Sequence, residues 1–434
     1  MHIVVIGTGY VGLVSGACFA EAGHTVVCVD TDVAKIATLK RGESTIHEQG
    51  LDALIAANTR NRRLGFTTDL ASALKNAAAA FICVGTPARP GDGESDLSFV
   101  FQVARDIAKN ATGPLVVVTK STVPVGTGDR IAEILGECRP ELDFTVASNP
   151  EFLREGNAVA DFQIPDRIVI GTDNAAARTL LTEVFTQLNA RNAPILTVSR
   201  RTAELMKYAA NIFLAMKITF INEIADLCEK TGADVAEIAH GIGLDSRIGP
   251  KFLQPGPGFG GSCLPKDVHA LIQTSQFAGT DLRLLEAVAA ANPRRKRNMA
   301  RKIIAACDGT VRGKTIAILG LTFKSDTDDM RDAPALAIVP ALQDAGAKIR
   351  AYDPLGMTKA QKLMPGVDYT TDPYDCAQGA DALALITEWS EFRNLDLKRL
   401  KSALATPNLI DLRNLWHPET MRAAGFTYTS IGRP

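Results

Sequence analysis

The opening of this chain, MHIVVIGTGYVG, restricts the fold more than any other stretch. Residues 2–6 (HIVVI) are a short apolar run of the kind that forms a buried parallel strand. Gly7-Thr8-Gly9-Tyr10-Val11-Gly12 follows at once, a GxGxxG, and an apolar helical stretch, VSGACFAEAG, ends at Gly23. A second strand, TVVCVD, closes on Asp30. GxGxxG alone is a weak signal. Between a strand and a helix, with an acid closing the next strand, it specifies a nucleotide-binding turn. The glycines permit a tight turn and let a pyrophosphate approach the helix N-terminus. Asp30 would accept hydrogen bonds from a ribose diol and repel a 2′-phosphate, which favours NAD over NADP. The competing reading is a glycine-rich turn that holds no ligand.

Strand-like runs continue at 77–85 (AAAAFICVG), 114–120 (PLVVVTK), 144–150 (FTVASNP) and 166–172 (DRIVIGT), with helical stretches between them. This alternation predicts a doubly wound α/β sheet, whose ligands collect at the carboxyl ends of its strands. Three polar segments begin there: Gly85-Thr86-Pro87, Ser121-Thr122-Val123-Pro124, and Asn149 through Gly156. Each is placed to reach a cofactor or substrate, or else to cap the next helix.

Residues 200–230 contain neither Gly nor Pro. A helix of that length would run ~45 Å, a spine joining two domains or two subunits. Lys207 and Asn211 are four apart and share one helical face. Glu204 stands one turn before Lys207, so the plain alternative for Lys207 is a solvated ion pair with it. The apolar neighbours of Lys207 predict a helix buried nearly all round. The basic run NPRRKRNMARK (292–302) reads as a solvated helix face. A second strand-and-glycine start appears at 314–320 (KTIAILG). Residues 344–353 (DAGAKIRAYD) echo 21–30 (EAGHTVVCVD): helix end, glycine, strand, aspartate. The last third therefore reads as a second Rossmann-type unit. Its loop, Gly320-Leu321-Thr322-Phe323-Lys324, is not GxGxxG, so its nucleotide should differ from NAD. The expected architecture is two Rossmann-type doubly wound α/β domains joined by a long central helix and a small helical region. The expected boundaries are 1–199, 200–300 and 301–434.

The 434 residues carry a net charge of -1, which argues against a nucleic-acid partner. No apolar run approaches the ~18–20 residues that cross a bilayer, and the N-terminus reads as a strand with no secretory leader, so a cytoplasmic protein is expected. None of the eight cysteines forms a CxxC pair, so no zinc site is expected and the thiols should be free. Most lie in apolar runs as core filler. Cys263 differs, because GPGFGGSCLPKD sets it among glycines. Pro265 would open a helix over KDVHALIQTSQ, leaving Cys263 at its N-terminus, where the dipole and Lys266 favour a thiolate. The glycines would leave room for a sugar at the backbone. Asp267, about one turn on, could relay a proton. A dehydrogenase with a nucleophilic thiol suggests one chemistry. An alcohol is oxidised to an aldehyde, the thiolate captures it as a thiohemiacetal, a second oxidation gives a thioester, and water releases a carboxylate.

GTGYVGLVSG, CVGTP, KSTVPVGT, SNPEFLREG, ELMKYAANIFLAMKI, GFGGSCLPKD and GLTFKSDTDDMRD, in this order along the whole chain, resemble the UDP-glucose/GDP-mannose dehydrogenase superfamily. The resemblance implies oxidation of UDP-glucose to UDP-glucuronate by two NAD. GDP-mannose or a UDP-N-acetylhexosamine is the alternative substrate, since these motifs are similar across the superfamily. It implies Cys263 as nucleophile, and Lys207 and Asn211 on the sugar C6 oxygen. Asp267 and Thr122 would position a water, and Glu151 would serve as base. Gly7, Gly9, Tyr10, Val11, Gly12, Asp30, Lys35, Thr86, Ser121, Lys266 and Arg331 would contact NAD, with Glu155 between cofactor and substrate. Phe152, Leu153, Phe323, Lys324 and Arg413 would hold the sugar nucleotide, with Gln254, Pro255, Gly256, Pro257, Gly258, Phe259 and Gly260 lining its other side. Arg247 would cross a dimer interface, and the long helix would be the core of a homodimer. Glu151 and Glu155, four apart, would be aimed together by a helical turn. Two segments depart from the family pattern: residues 44–51 (STIHEQGL) and Ala88-Arg89-Pro90.

Overall fold

The computed structural model describes residues 1–89, 91, 93–188 and 192–434, so Pro90 of the second departure lies outside it. The chain divides into two compact units, Met1–Ala210 with Gln276–Ala278, and Asn211–Ser275 with Gly279–Pro434.

The first unit is built on eight strands: β1 (His2–Ile6), β2 (Thr25–Val29), β3 (Leu64–Thr67), β4 (Ala79–Ile82), β5 (Leu115–Thr119), β6 (Phe144–Ser148), β7 (Ile168–Gly171) and β8 (Ile195–Val198). Their order in the sheet is β3-β2-β1-β4-β5-β6-β7-β8. All neighbours are parallel except β6 and β7. The short strands β3 and β8, four residues each, were not among the strands expected from sequence. Ile6 pairs with Val29, which brings Gly7 and Asp30 to the same edge. Helices cover both faces. Phe19, on the helix Tyr10–Glu21, packs its ring against Phe81, Phe162 and Phe185.

The second unit contains a six-stranded, wholly parallel sheet: β9 (Thr315–Leu319), β10 (Lys348–Tyr352), β11 (Asp368–Tyr369), β12 (Ala382–Leu385), β13 (Asn408–Asp411) and β14 (Thr427–Thr429). Its order, β11-β10-β9-β12-β13-β14, repeats the order of the first six strands of the other sheet. Both expected Rossmann-type units are therefore present.

The helix Arg200–Thr231 is continuous over 32 residues, and the division between the units falls inside it. It is not buried nearly all round as its composition suggested. Ala203, Lys207, Tyr208, Asn211, Ala215, Asn222 and Ala225 are buried, whereas Phe213, Phe220 and Leu227, seven apart, are exposed. The basic run also departs from expectation. It lies in the helix Arg283–Ala306, where Arg295 and Lys296 are buried rather than solvated. Arg295 Nε donates to the carbonyl of Gly256 and its Nη1 pairs with Asp226, while Lys296 pairs with Asp332. No helix among the described residues is long and apolar enough to cross a membrane.

Candidate functional site

In the first unit the turn after β1 has the geometry its glycines require. Gly7 has φ +101°, and a Cβ there would meet the Cys83 carbonyl oxygen at 2.8 Å. A Cβ on Gly12 would fall 1.9 Å from the Gly7 oxygen. Beside Gly9 there is open space, and Gly9 caps the helix Tyr10–Glu21 with no side-chain bond to its first turn. The open cradle and the uncapped N-terminus together fit a pyrophosphate. Asp30 completes the fit. Its Oδ2 accepts from the Thr8 amide at 2.8 Å and the Thr8 hydroxyl at 2.7 Å, and its Oδ1 from the Asp32 amide at 3.0 Å. Burial would raise its pKa, but the Thr8 hydroxyl, the two amides and Lys35 outweigh it and hold the group ionised below its ordinary value. Lys35 is exposed on the helix Val33–Lys40.

The polar segments after β4 and β5 are tied to each other. Thr86 Oγ1 donates to the Thr122 carbonyl at 2.9 Å, and Ser121 Oγ to the Val84 carbonyl at 2.6 Å. The Ser121 hydroxyl is therefore not a cap of the next helix, Thr127–Cys138, whose first amides are met by Glu204. That carboxylate accepts from Gly126 and Gly128, each at 2.7 Å. The Glu204–Lys207 pair open at the sequence level is thus replaced. Lys207 is buried and its Nζ lies 2.8 Å from Glu151 Oε1. The other Glu151 oxygen accepts from the Leu153 amide at 2.5 Å, and Lys207 sits 5.5 Å from the Phe152 ring centre.

No helical turn aims Glu151 and Glu155 together. Residues 151–154 are loop and 155–156 a turn closed by the Asn157 amide on the Arg154 carbonyl at 2.9 Å, and the helix begins at Ala158, where buried Glu48 accepts from the amides of Gly156 and Ala158 at 2.8 Å each. The Tyr10 hydroxyl also accepts from Gly156, at 2.6 Å. Glu48 lies in the departing segment 44–51 and was not anticipated. Its role follows from a partner over a hundred residues away, which no local pattern encodes.

In the second unit the helix Leu264–Phe277 begins one residue after Cys263, and the Asp267 amide donates to the Cys263 carbonyl at 2.9 Å. Pro265 is its second residue rather than its first. Cys263 is half-buried with Sγ 3.4 Å from Ser262 Oγ. Asp267 is 1% exposed. Its Oδ2 accepts from Asn211 Nδ2 at 2.6 Å and its Oδ1 lies 2.9 Å from Lys266 Nζ. Asn211 is one turn beyond Lys207 on the same helix, and each of the two side chains donates to a buried carboxylate.

The bare backbone before Cys263 lies where packing leaves no room for a side chain. A Cβ at Gly258 would meet Asn292 at 2.8 Å, at Gly260 the Asp332 carbonyl at 2.4 Å, and at Gly261 the Phe323 ring at 2.8 Å. Asn292 also clamps Phe259, accepting from its amide and donating to its carbonyl at 2.9 Å each, and Asn222 accepts from Gly256 at 2.8 Å. Pro255 through Gly260 are buried, Gln254 is exposed. Sequence reading missed Asn222, Asn292, Arg295 and Lys296. The helical spacing of the last three was the available signal.

The remaining predicted residues fall on the second unit's loops. Phe323 and Lys324 lie in the loop after β9, with Lys324 Nζ 5.7 Å from the Phe323 ring centre. Arg413 follows β13 and ties that loop down, donating to the Phe323 carbonyl at 2.9 Å and pairing with Glu388 at 2.9 Å. Arg331 is paired with Asp329 at 2.8 Å. Arg247 is strongly exposed and pairs with Asp245 at 2.6 Å.

Three segments match the UDP-glucose/GDP-mannose dehydrogenase family: its NAD binding domain over residues 1–189, its central domain over 201–294 and its UDP binding domain over 317–418. The chain is 58% identical to a UDP-glucose 6-dehydrogenase of Rhizobium meliloti, over all of both chains. It is 44% identical to one of Pseudomonas aeruginosa, over all of this chain and 98% of the other. The structure of a UDP-glucose dehydrogenase from Pyrobaculum islandicum superposes with a TM-score of 0.91 at 35% identity, covering 100% and 98% of the two chains. That of a UDP-D-ManNAc dehydrogenase from Pyrococcus horikoshii gives 0.87 at 28% identity, covering 100% and 99%. With a dinucleotide turn in one unit, a thiol at a helix N-terminus in the other and all three family domains in order, the chain belongs to the UDP-glucose/GDP-mannose dehydrogenase family.

Proposed function

We propose that the chain is a cytoplasmic, homodimeric UDP-glucose 6-dehydrogenase that converts UDP-glucose, two NAD and water into UDP-glucuronate, two NADH and three protons. The observation that carries the reading is Cys263 at the start of the helix Leu264–Phe277, with Asp267 fixed one turn on between Asn211 and Lys266. We read residues 1–199 as the NAD domain, 200–300 as the central dimerisation domain and 301–434 as the UDP-sugar domain.

NAD, when bound, accepts a hydride in each of two oxidations. Gly7, Gly9, Tyr10, Val11, Gly12 and Asp30 hold it, with Lys35, Thr86, Ser121, Glu155, Lys266 and Arg331 as further contacts. Phe152, Leu153, Gln254 through Gly260, Phe323, Lys324 and Arg413 hold the sugar nucleotide. Lys207 and Asn211 present donors to the C6 oxygen, and Lys207 stabilises each oxyanion that forms there. The Cys263 thiolate adds to the C6 aldehyde, forming a C–S bond and a thiohemiacetal that keeps the aldehyde from escaping. After the second oxidation this carbon is a thioester. Asp267 and Thr122 orient a water and Glu151 takes its proton. The new C–O bond forms as the C–S bond breaks, and the electron pair returns to Cys263 as thiolate. The exposed stripe Phe213, Phe220 and Leu227, repeating every seven residues, suits the long helix to pair with that of a second copy, and exposed Arg247 to reach the other copy's substrate.

The test is the NADH yield at exhaustion of limiting UDP-glucose, with GDP-mannose and UDP-N-acetylglucosamine alongside, for the wild type and Cys263→Ser. Two NADH per UDP-glucose, lost in the variant, are expected. Two from another sugar alone would change the substrate, and one NADH unaffected by the substitution would remove the thioester.

A further inference from the structure

We infer that Lys120 is a positioning residue for this reaction: it suspends the turn that carries Glu151 and keeps Glu151 ionised when Lys207 turns to the substrate. The inference rests on the roles of Glu151 and Lys207 proposed above.

Lys120 follows β5 and is 3% exposed. Its Nζ donates to Asn149 Oδ1 at 2.8 Å and lies 5.3 Å and 5.7 Å from the ring centres of Phe162 and Phe185. Asn149 in turn donates from its side chain to the Val169 carbonyl at 2.8 Å and from its amide to the Thr119 carbonyl at 2.9 Å. The turn Asn149-Pro150-Glu151 therefore hangs between β5 and β7, with Lys120 as the pin through Asn149.

A residue that only filled this space would be apolar. An ammonium buried with one side-chain hydrogen-bond acceptor and two aromatic faces is costly unless its charge is used. The groups that face it are Cys83 from the end of β4, Glu151 from the turn after β6, Lys207 from the long helix and Cys18 from the helix Tyr10–Glu21. Glu151 is the carboxylate among them. Burial lowers the Lys120 pKa to about 8, so the side chain remains mostly charged at neutral pH. Burial of Glu151 would raise its pKa, yet Lys207, the Leu153 amide and Lys120 together hold it below the ordinary value.

Lys207 has two claims on it: it pairs with Glu151, and the proposed mechanism directs it to the C6 oxygen. When it turns to that oxygen, Glu151 loses its nearest cation just as it is needed as a base. A second cation, fixed at the end of the neighbouring parallel strand and held by its bond to Asn149, keeps the carboxylate charged through that step.

The experiment is the pH profile of kcat with UDP-glucose and saturating NAD for the wild type and for Lys120→Met, Lys120→Gln and Lys120→Arg, with thermal midpoints and the KM for NAD. The Met and Gln variants should move the acid limb up by about one unit, a roughly tenfold loss of rate at pH values below the wild-type limb, against the wild type at the same pH. The KM for NAD should stay within about twofold, and Arg should restore the limb. Gln keeps a donor toward Asn149, so a shifted limb with a wild-type thermal midpoint would separate charge from packing. An unshifted limb in folded Met or Gln variants overturns the inference. So does failure of both variants to fold, which would make Lys120 a cation the core needs for packing alone. If the wild type does not turn over UDP-glucose, the functional reading fails instead.

Discussion

The two Rossmann units begin alike and diverge within three residues. In each, a glycine with positive φ follows the first strand: Gly7 at +101° and Gly320 at +84°. Each donates its amide to the last residue of the neighbouring strand, Gly7 to Val29 at 2.8 Å and Gly320 to Tyr352 at 2.9 Å. In each, a threonine bonds by both amide and hydroxyl to the aspartate ending that neighbour, Thr8 to Asp30 and Thr322 to Asp353. After that the first unit enters a helix at Tyr10, while the second runs as a loop to its helix Ala335–Asp344. The aspartates differ accordingly. Asp30 is half-exposed, whereas Asp353 is buried and also accepts from the amides of Leu321, Leu355 and Gly356 and from the Trp389 indole. The same strand–glycine–acid frame thus makes a ligand receptor where the helix starts at once, and an internal anchor where a loop must be held.

Substitution at the two aspartates should break the likeness most visibly. Asp353→Ala strands several buried donors and should cost about 3 kcal/mol or more of stability, read by denaturant unfolding, with NAD affinity unchanged. Equal stability in that variant would mean the loop is held by something else. Asp30→Ala should do the reverse. Thermal stability should hardly move, NAD affinity should fall roughly tenfold, the worth of one charge-assisted pair, and the preference over NADP should narrow. Calorimetric titration with both dinucleotides checks it.

The frame was legible because it is local. Gly7 to Asp30 is a run of strand, turn, helix and strand whose spacing needs no distant partner, and its echo at 344–353 was visible for the same reason. The long helix was legible from the absence of Gly and Pro, and Cys263 from its place before a helix. What sequence did not disclose are pairings across the chain. Lys207 meets Glu151 rather than Glu204, because Glu204 is drawn to the amides of Gly126 and Gly128. Glu151 and Glu155 lie ahead of a helix that begins only at Ala158, where Glu48 accepts from the amides of Gly156 and Ala158. The glycines before Cys263 suggested space for a ligand, but the packing that a Cβ on them would meet, from Phe323, Asp332 and Asn292, could not be read locally. The basic run hid a buried face because charge count conceals which residues share a helical side.

The smallest expected effect sharpens the comparison most, because it touches one hydroxyl in each frame. Thr8→Val removes the 2.7 Å bond to Asp30 and leaves the amide bond in place. Burial raises the Asp30 pKa and the Thr8 hydroxyl lowers it, so the variant's carboxyl should protonate at a higher pH than in the wild type. The charged carboxylate is the form that accepts from a ribose diol. NAD affinity that depends on it is present above the Asp30 pKa and is lost as pH falls through it. In Thr8→Val that loss should therefore begin at a higher pH. Kd for NAD should match the wild type at neutral pH, where both carboxyls are ionised, and should rise above it as pH falls below about 5, by up to about 1 kcal/mol for a half-exposed hydrogen bond. Thr322→Val meets an aspartate that keeps its other donors, and its own hydroxyl bond to Asp353 is longer, at 3.3 Å. It should leave the Kd for NAD unchanged at every pH. A wild-type pH dependence in Thr8→Val would mean that the two amides and Lys35 set the charge of Asp30, and that the threonines mark a shared folding solution rather than a tuned ligand site.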